Sequence, residues 1–268
     1  MSNIYKILLL ASISFIFSVD SDGDGYSDQL EKEIGTDPND KEDRYYYGSW
    51  PFNPNKDKIG GAEVPIECPS NISCECSQNS DCINNNCKKT IRGDGPYCTP
   101  KVGDIFPRLI ATDQYGEYVD IYDFAMQGKT IAIEFGAAWC SPCQQLSSWL
   151  SSGDASSLEN HRWWKEEYEV IRDKINNDEI IFITILFQDE SRENANYETT
   201  FNWHEKYPND KIPILADEYR DIHFWLKPTG YPCINILDEN MKLMTFTGRG
   251  LSDAFDILSG LKPYPTGF

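Results

Sequence analysis

Two cysteines separated by two residues form the most reactive pattern in the chain. Cys140 and Cys143 lie in the sequence Trp-Cys-Ser-Pro-Cys, which follows the apolar run Thr130–Phe135. Such a run predicts a buried strand, and Pro142 suits the first turn of a helix. A cysteine at a helix start faces free backbone N–H groups, which favour its thiolate. Cys143, one turn further on, is close enough to attack a mixed disulfide on Cys140.

The same two cysteines could instead form an inert structural disulfide. Such a disulfide rarely spans two residues at the start of a helix, so a redox-active pair is the better interpretation. A cysteine–histidine protease is excluded, because none of the three histidines lies in a recognisable catalytic motif.

The residues around this pair resemble the thioredoxin superfamily, and within it the TlpA-like exported thiol–disulfide oxidoreductases. The resemblance covers most of residues 101–268, including the opening sequence 102–107, the Trp-Cys-x-x-Cys sequence and the Gly-Tyr-Pro at 230–232. It implies an α/β thioredoxin fold, a central mixed sheet flanked by helices, and disulfide exchange with protein substrates. It also implies a cis Tyr231–Pro232 bond that faces the dithiol. We therefore expect Trp139, Tyr231 and Pro232 to contact an extended substrate segment.

Members of this family often carry an acidic residue six positions before the first cysteine, and here that residue is Glu134. A carboxyl group buried beneath the dithiol would have a raised pKa and could relay the proton of Cys143. In the alternative, Glu134 is a strand-edge carboxylate that faces solvent. The apolar neighbours Ile133 and Phe135 do not decide between the two, because successive residues of a strand face opposite sides.

The elements that must position these residues follow from alternating apolar and amphipathic stretches over residues 101–268. Such alternation predicts an α/β domain. The predicted strands are Thr130–Phe135, Ile180–Phe187, Ile212–Leu215, Cys233–Leu237 and Leu243–Phe246. The predicted helices are Ser141–Leu150, Leu158–Asn176, Tyr197–Lys206, Tyr219–Leu226 and Ser252–Leu261.

A second motif is the acidic stretch at residues 20–31. Its oxygen-bearing residues follow the ligand spacing of a calcium loop, with Gly25 at the sharp turn. The expected ligands are Asp20, Asp22, Asp24, the carbonyl of Tyr26, Asp28 and Glu31. The residues that follow resemble the calcium-binding type-3 repeats of thrombospondin. We expect a structural Ca²⁺ ion here, with a solvated acidic tail as the alternative.

Six further cysteines lie in the segment 67–100, which contains little apolar material. They are Cys68, Cys74, Cys76, Cys82, Cys87 and Cys98. A segment of this size cannot bury enough apolar surface to be stable, so disulfides are required, although the sequence does not choose their pairing. A zinc site is disfavoured because the segment lacks a Cys-x-x-Cys pair and contains no histidine. We interpret the segment as a spacer or protein-interaction module.

The ninth cysteine, Cys233, directly follows Pro232. Its offset of one strand residue from Tyr231 places it on the side of the pleat away from the peptide bond that should face the dithiol. We interpret it as a buried core thiol. The alternative is a third redox cysteine.

The order of segments predicts an exported protein. Residues 1–18 resemble a signal peptide, with an uncleaved anchor as the alternative. The acidic repeat 19–45, a linker at 46–66, the cysteine-rich module 67–100 and the thioredoxin-like domain 101–268 follow. Export to an oxidising compartment makes disulfides expected.

Composition limits the partners of the 268-residue chain. Its formal net charge of −19 disfavours binding to nucleic acid or to anionic lipid. We expect a protein disulfide or dithiol as substrate, no cofactor for catalysis, and an external electron donor or acceptor. The alternative is a non-enzymatic, calcium-stabilised surface protein in which the thioredoxin-like domain is a scaffold.

Overall fold

The computed structural model of this chain describes residues 19–24, 26–89 and 93–266. The predicted signal peptide and Gly25 lie outside these residues. The helices are α1 (Asp28–Ile34), α2 (Ser141–Ser152), α3 (Glu169–Asn176), α4 (Tyr197–Lys206), α5 (Asp221–Leu226) and α6 (Leu251–Leu258). The strands are β1 (Cys87–Lys88), β2 (Tyr97–Cys98), β3 (Ile110–Thr112), β4 (Tyr118–Asp120), β5 (Thr130–Gly136), β6 (Ile180–Leu186), β7 (Ile214–Ala216) and β8 (Cys233–Leu237). The chain divides into two compact units, and the second begins at Tyr46.

The first unit is built around the short helix α1. The hydroxyl of Ser27 caps this helix by accepting a hydrogen bond from the Leu30 N–H (3.3 Å). The helix ends at Gly35, whose left-handed conformation (φ 95°) lets its N–H reach the carbonyl of Glu31 (2.7 Å). Glu31 is the buried residue of α1.

A four-stranded sheet forms the centre of the second unit, with its strands in the order β7-β6-β5-β8. Strands β5, β6 and β7 run parallel, and Gly136 at the end of β5 lies opposite Leu186. Strand β8 is antiparallel to β5, so that Cys233 lies opposite Phe135. The thioredoxin fold combines two parts in one sheet. The parallel strands β5 and β6 are connected through α2 and α3, and the antiparallel strand β8 is followed by α6. The predicted fold class is therefore confirmed.

Apolar side chains cover both faces of this sheet. On one face, Ala132 and Phe182 pack with Trp149 of α2 and Phe255 of α6. On the other face, Phe135 belongs to a second buried cluster. Because both faces are buried, β5 and β6 appear in the sequence as continuous apolar runs rather than alternating ones. The end of β5, from which the dithiol follows, is therefore fixed by packing on both sides.

Three disulfides hold the cysteine-rich module together. The pairs are Cys68–Cys74, Cys76–Cys87 and Cys82–Cys98. Strands β1 and β2 pair antiparallel within it, with Cys87 opposite Cys98. Cys74, Cys82 and Cys98 are buried, so the disulfides occupy an interior that apolar side chains do not fill. Although the sulfurs of Cys76, Cys82 and Cys87 lie close together, each is bonded in a disulfide and is not available to zinc.

Residues 46–66 differ from the predicted linker because they pack on the core of the second unit. Tyr46 and Trp50 belong to its buried cluster. The Tyr46 hydroxyl donates a hydrogen bond to the buried Asp123 carboxylate (2.7 Å), and the Lys56 Nζ lies 3.1 Å from the same group. The linker prediction was wrong because it relied on missing periodicity, whereas large aromatic side chains bury their area at irregular spacing too.

The predicted helix Leu158–Asn176 is shorter in the structure. Its α-helical part is α3, preceded by a 3₁₀ turn at Glu166–Tyr168. Upstream of that turn, Trp164 packs edge-on against Trp149, with 5.0 Å between ring centroids. Packing of this large ring, rather than helical periodicity, determines the path of the segment.

Two further differences concern short strands. The predicted strand Leu243–Phe246 is reduced to local contacts with β8: a bridge from Leu243 to Leu237, and a hydrogen bond from the Met244 N–H to the Ile236 carbonyl (2.8 Å). Conversely, β3 and β4 form an antiparallel hairpin that the sequence did not predict. Strands of three residues are too short to show a periodic signal.

Candidate functional site

Cys140 and Cys143 lie where the end of β5 leads into α2. Cys140 caps the helix, and its Sγ accepts a hydrogen bond from the Cys143 N–H (3.3 Å). Pro142 lies in the first turn, where its missing N–H removes no bond. The two cysteines form a disulfide with their Cα atoms 5.2 Å apart. Cys143 is fully buried and Cys140 is 3% exposed, so Cys140 is the more accessible residue of the pair.

Glu134 is completely buried in β5, so the alternative of a solvent-facing carboxylate is contradicted. Burial raises the pKa of its carboxyl group to about 7, although a hydrogen bond from the Thr184 hydroxyl to Oε2 (2.8 Å) lowers it. Within the described part of the chain, Oε1 has no hydrogen-bond partner. A carboxyl group in this state can take up or release a proton near neutral pH.

Gly136 lets the helix approach this carboxyl group. A Cβ atom on Gly136 would lie 3.1 Å from the Cys143 Sγ and 3.6 Å from the Glu134 Oε1. The sulfur and the carboxyl oxygen therefore flank one small space. A larger residue at this position would fill it.

The Tyr231–Pro232 bond is cis, as the resemblance implies, and it directly precedes β8. The Tyr231 ring packs edge-on against Trp139, with 6.0 Å between centroids. Its hydroxyl lies 3.0 Å from the Nε2 of His223. The structure thus brings Tyr231 beside the residue that precedes Cys140.

Two residues that the sequence analysis missed hold Trp139 in place. The indole N–H donates a hydrogen bond to the Gln188 side chain (3.0 Å). The guanidinium carbon of Arg192 lies 4.2 Å from the centre of the indole ring. The Gln188 amide also donates to the Arg192 carbonyl, which ties the two together. Neither residue belongs to a motif, so no signal in the sequence could have identified it.

Cys233 is a buried free thiol on β8. Burial raises its pKa to about 12, and its sulfur accepts a hydrogen bond from the Asn235 amide (3.5 Å). Cys233 pairs with Phe135, whereas Glu134 pairs with the next residue, Ile234. Because neighbours in a strand face opposite sides, Cys233 points away from the face that carries Glu134. Cys233 packs in the same buried cluster as Cys140 and Cys143. Its burial agrees with the predicted core thiol, but its strand face does not separate it from the dithiol.

The acidic loop of the first unit brings several predicted ligands together. Carboxylate oxygens of Asp20, Asp22 and Asp24 lie within 4.8 Å of one another. Glu31 is 1% exposed, and burial, followed by repulsion from the aspartates, raises its pKa. Among the described residues, neither Glu31 oxygen has a hydrogen-bond partner. One buried carboxylate without a hydrogen-bond partner, next to three clustered aspartates, fits a hard divalent cation.

The remaining predicted ligands are Asp28 and the carbonyl of Tyr26. The Asp28 carboxylate accepts hydrogen bonds from the backbone N–H and the hydroxyl of Ser21, both at 2.8 Å, which lower its pKa. The Tyr26 N–H donates to Asp24 (2.8 Å), which helps to curve the loop. The expected turn residue Gly25 lies outside the described residues.

Comparison with known proteins gives a local match and a set of distant structural likenesses. Residues 20–41 match the bacterial TSP3 repeat. The curated proteins give no match. Among solved structures, the chain is similar to the thioredoxin domain of a thiol-disulfide oxidoreductase from Bacteroides vulgatus, with 20% identity over 61% of this chain and 99% of that one and a TM-score of 0.40.

Two more solved structures show the same degree of likeness. One is assigned as the thiol:disulfide interchange protein DsbE from Chlorobium tepidum, with 16% identity, 60% of this chain and 100% of that one covered, and a TM-score of 0.42. The other is the exposed lipoprotein thioredoxin of Streptococcus pneumoniae, with 16% identity, coverage of 56% and 98%, and a TM-score of 0.37. At these values we infer no function from the likeness, and the fold rests on strand order and connectivity.

None of the helices in the described ranges is long and apolar enough to cross a membrane. The apolar run of the predicted signal peptide lies almost wholly outside these ranges.

Proposed function

We propose that this chain is an exported thiol–disulfide oxidoreductase that exchanges disulfides with protein substrates. The observation that best supports this is the arrangement of Cys140 and Cys143: one caps a helix and the other is buried one turn deeper. Two further features support it: the cis Tyr231–Pro232 bond and the buried carboxyl group of Glu134.

The exchange begins in the reduced protein with attack by the Cys140 thiolate on a substrate disulfide. A bond forms between Cys140 and one substrate sulfur, and the other substrate sulfur leaves as a thiolate. The Cys143 thiolate then attacks the Cys140 sulfur, which releases the substrate and closes the Cys140–Cys143 disulfide. Two electrons pass to the substrate, and its two thiolates take up protons. The reverse sequence oxidises a substrate dithiol.

Glu134 is proposed to accept the proton of the Cys143 thiol as that sulfur attacks. Its Oε1 faces the same space beside Gly136 as the Cys143 sulfur. A base with a pKa of about 7 is present in both protonation states near neutral pH, which suits it to proton transfer in either direction.

Tyr231 and Pro232 are proposed to bind the substrate next to the reacting sulfur. A segment that leads into an edge of the sheet can pair with an extended polypeptide through its backbone. Trp139, held by Gln188 and Arg192, would cover the other side of the bound segment.

The compartment is proposed from the resemblance of residues 1–18 to a signal peptide and from the three module disulfides, which suit an oxidising environment. Each exchange leaves the Cys140–Cys143 pair in the opposite redox state. An external electron donor or acceptor must therefore restore it.

The test compares the wild type with Cys140→Ser and Cys143→Ser in reduction of a protein disulfide. We expect Cys140→Ser to lower the rate to the uncatalysed level. Cys143→Ser should trap a mixed disulfide between Cys140 and the substrate, visible by mass spectrometry. A wild-type rate in Cys140→Ser would contradict the proposal and leave the non-enzymatic surface protein. If Cys140→Ser is inactive as expected, the midpoint potential of the pair identifies the direction of electron flow.

We further infer that the acidic loop binds a calcium ion with a structural role. The carboxylates of Asp20, Asp22, Asp24 and Glu31 would hold it, with the Tyr26 carbonyl as an additional ligand. A bound Ca²⁺ ion supplies positive charge to these carboxylates. Asp28 has the least support as a ligand, because its carboxylate already accepts two hydrogen bonds from Ser21.

Calorimetric titration of the full chain with Ca²⁺ tests this inference. Glu31→Gln should weaken binding by about a hundredfold, because it removes one charge and one anionic ligand. Glu33→Gln is the matched control, since Glu33 lies on the same helix but is exposed. Equal affinity of both variants, or no binding by the wild type, would contradict a calcium site at Glu31.

A further inference from the structure

The cysteine-rich module lies against the C-terminal end of α5. The Ser73 hydroxyl donates a hydrogen bond to the backbone carbonyl of Phe224 (2.7 Å). The Lys227 ammonium lies 4.1 Å from the centre of the Tyr97 ring. Both contacts join the module to the segment that leads towards Tyr231, so the module borders the proposed substrate groove.

A cavity of about 330 Å³ separates the two parts next to these contacts. It is lined by Asp94 and Tyr97 from the module and by Phe224, Lys227 and Thr229 from the α5 side. A volume near the lower end of ligand sites admits one amino-acid side chain but no folded domain.

His223 connects this cavity with the dithiol region. Its side chain lines the cavity, and its Nε2 lies 3.0 Å from the Tyr231 hydroxyl. Its ring stacks on Phe187 (4.6 Å between centroids), which in turn lies 5.1 Å from the Tyr231 ring. His223 thus contacts Tyr231 and also lines the cavity, so the cavity lies beside the residue with which the substrate segment is proposed to pair.

Lys227 supplies the positive charge of the cavity. The side chain is partly buried between the module and α5. Burial lowers the pKa of its ammonium group, and attraction by Asp94 offsets only part of this effect. The ring of Tyr97 presents its face to the ammonium but carries no anionic charge. A carboxylate that entered the cavity would pair with the Lys227 ammonium and neutralise its remaining charge.

We propose that the cavity is a specificity pocket for an acidic side chain of an extended substrate polypeptide, and that the cysteine-rich module forms the second wall of the substrate groove. This inference rests on the proposed disulfide exchange and names its substrate class. The module then contributes substrate selection, whereas the chemistry stays at Cys140 and Cys143.

The experiment uses the reduced full chain and two peptides whose single cysteine is disulfide-bonded to a chromogenic thiol. One peptide carries Glu at the positions flanking this cysteine, and the other carries Gln. We expect the single-turnover second-order rate constant to be about tenfold higher for the Glu peptide. Lys227→Met should abolish this preference, and Lys227→Glu should reverse it towards a matched Lys peptide.

Two controls separate the pocket from the chemistry. Dithiodipyridine, a small neutral disulfide, should react with Lys227→Met at the wild-type rate. Lys206→Met should retain the preference, because its ammonium also lies over a tyrosine ring (5.3 Å from the centre of Tyr207) but does not line the cavity.

The outcomes distinguish this inference from the proposed function. Equal rates for the Glu and Gln peptides in the wild type, or an unchanged preference in Lys227→Met, would overturn the specificity pocket while dithiodipyridine still reacts. Absence of any reaction of Cys140 with dithiodipyridine would overturn the proposed function itself. Loss of preference in Lys206→Met would show that surface charge in general, rather than this cavity, selects the peptide.

Discussion

The Oε1 atom of Glu134 and the Sγ atom of Cys143 face the same space beside Gly136, and a methyl group on that glycine would lie within 3.6 Å of both. The carboxyl group belongs to β5 and the sulfur to α2, so the strand and the helix must both keep their positions for the two to meet. Proton exchange between buried groups requires such proximity, because bulk water is not at hand to carry the proton.

Replacing Glu134 with Gln should slow the resolving step of the exchange. Gln keeps the size of the side chain but cannot accept the Cys143 proton. We expect the wild-type rate to rise with pH through about 7 as the carboxyl group ionises, and Glu134→Gln to lower the rate about tenfold and remove this inflection. Stopped-flow measurement of the decay of the mixed disulfide over pH 5 to 9 provides the test.

Glu179→Gln is the matched control, since Glu179 is exposed and immediately precedes β6. It should leave both the rate and the inflection unchanged. Survival of the inflection in Glu134→Gln would assign it to another group and contradict the proton-relay role.

Thr184 tunes the same carboxyl group. Its hydroxyl donates to the Glu134 Oε2, a bond that favours the charged carboxylate and lowers its pKa. Thr184→Val preserves the shape of the side chain and removes the donor. We therefore expect the inflection of the pH–rate profile to move to higher pH while the plateau rate at alkaline pH is retained. An unchanged or lower inflection would show that the hydrogen bond does not act on the ionised group.

Glu134 should also make stability depend on pH. Burial raises its pKa from 4.5 to about 7, so between these values the folded protein binds more protons than the unfolded chain. The free energy of unfolding should then fall as pH rises through this window and level off above it, with a contribution of roughly 3 kcal/mol. Asp217, whose pKa burial raises to about 6, adds a change of the same sign.

Urea unfolding of the oxidised protein at pH 5 and pH 8 measures this dependence. In Glu134→Gln the difference between the two pH values should shrink by roughly 3 kcal/mol, and the variant should be the more stable protein at pH 8. If the free energy of unfolding differs between the two pH values by the same amount in the wild type and the variant, folding does not raise the pKa of Glu134.

The sequence predicted the elements around the dithiol well because their signals are local and strong. The predicted strands at β5 and β8 match the observed ones to within a residue, because strands buried on both faces are mostly apolar. The start of α2 was marked by Pro142 and by the cysteine spacing itself.

Other features depend on contacts between distant residues and could not be predicted. The strand pattern left the exposure of Glu134 open. Glu134 is buried because α2 and α6 cover the face of the sheet that carries it and Ala132. Gln188 and Arg192 are ordinary polar residues until the fold brings them against Trp139. The disulfide pairing likewise required the structure, because the cysteine spacing alone fits several pairings.

Gln188 should position Trp139 for substrate binding. Gln188→Ala removes the acceptor of the indole N–H and leaves that donor unsatisfied or solvated, at a cost of about 1 kcal/mol. We expect altered Trp139 fluorescence and a several-fold rise in KM for a polypeptide substrate, with little change in kcat. Gln145→Ala is the control, because Gln145 contacts His161 instead. A fall in kcat at constant KM would contradict a positioning role in binding.

Lys56 should anchor residues 46–66 through a buried ion pair with Asp123. The Asp123 carboxylate is fully buried and accepts hydrogen bonds from the Tyr46 hydroxyl, the Asn53 N–H and Lys56. Lys56→Met leaves that carboxylate without its cation, so we expect a loss of about 3 kcal/mol in the free energy of unfolding. The double variant Lys56→Met/Asp123→Asn removes both charges and should recover part of the loss. Two results would contradict this role: no effect of Lys56→Met alone, or a loss of stability in the double variant equal to the sum of the losses in Lys56→Met and Asp123→Asn. In either case the burial of residues 46–66 depends on Tyr46 and the other aromatic side chains rather than on the ion pair.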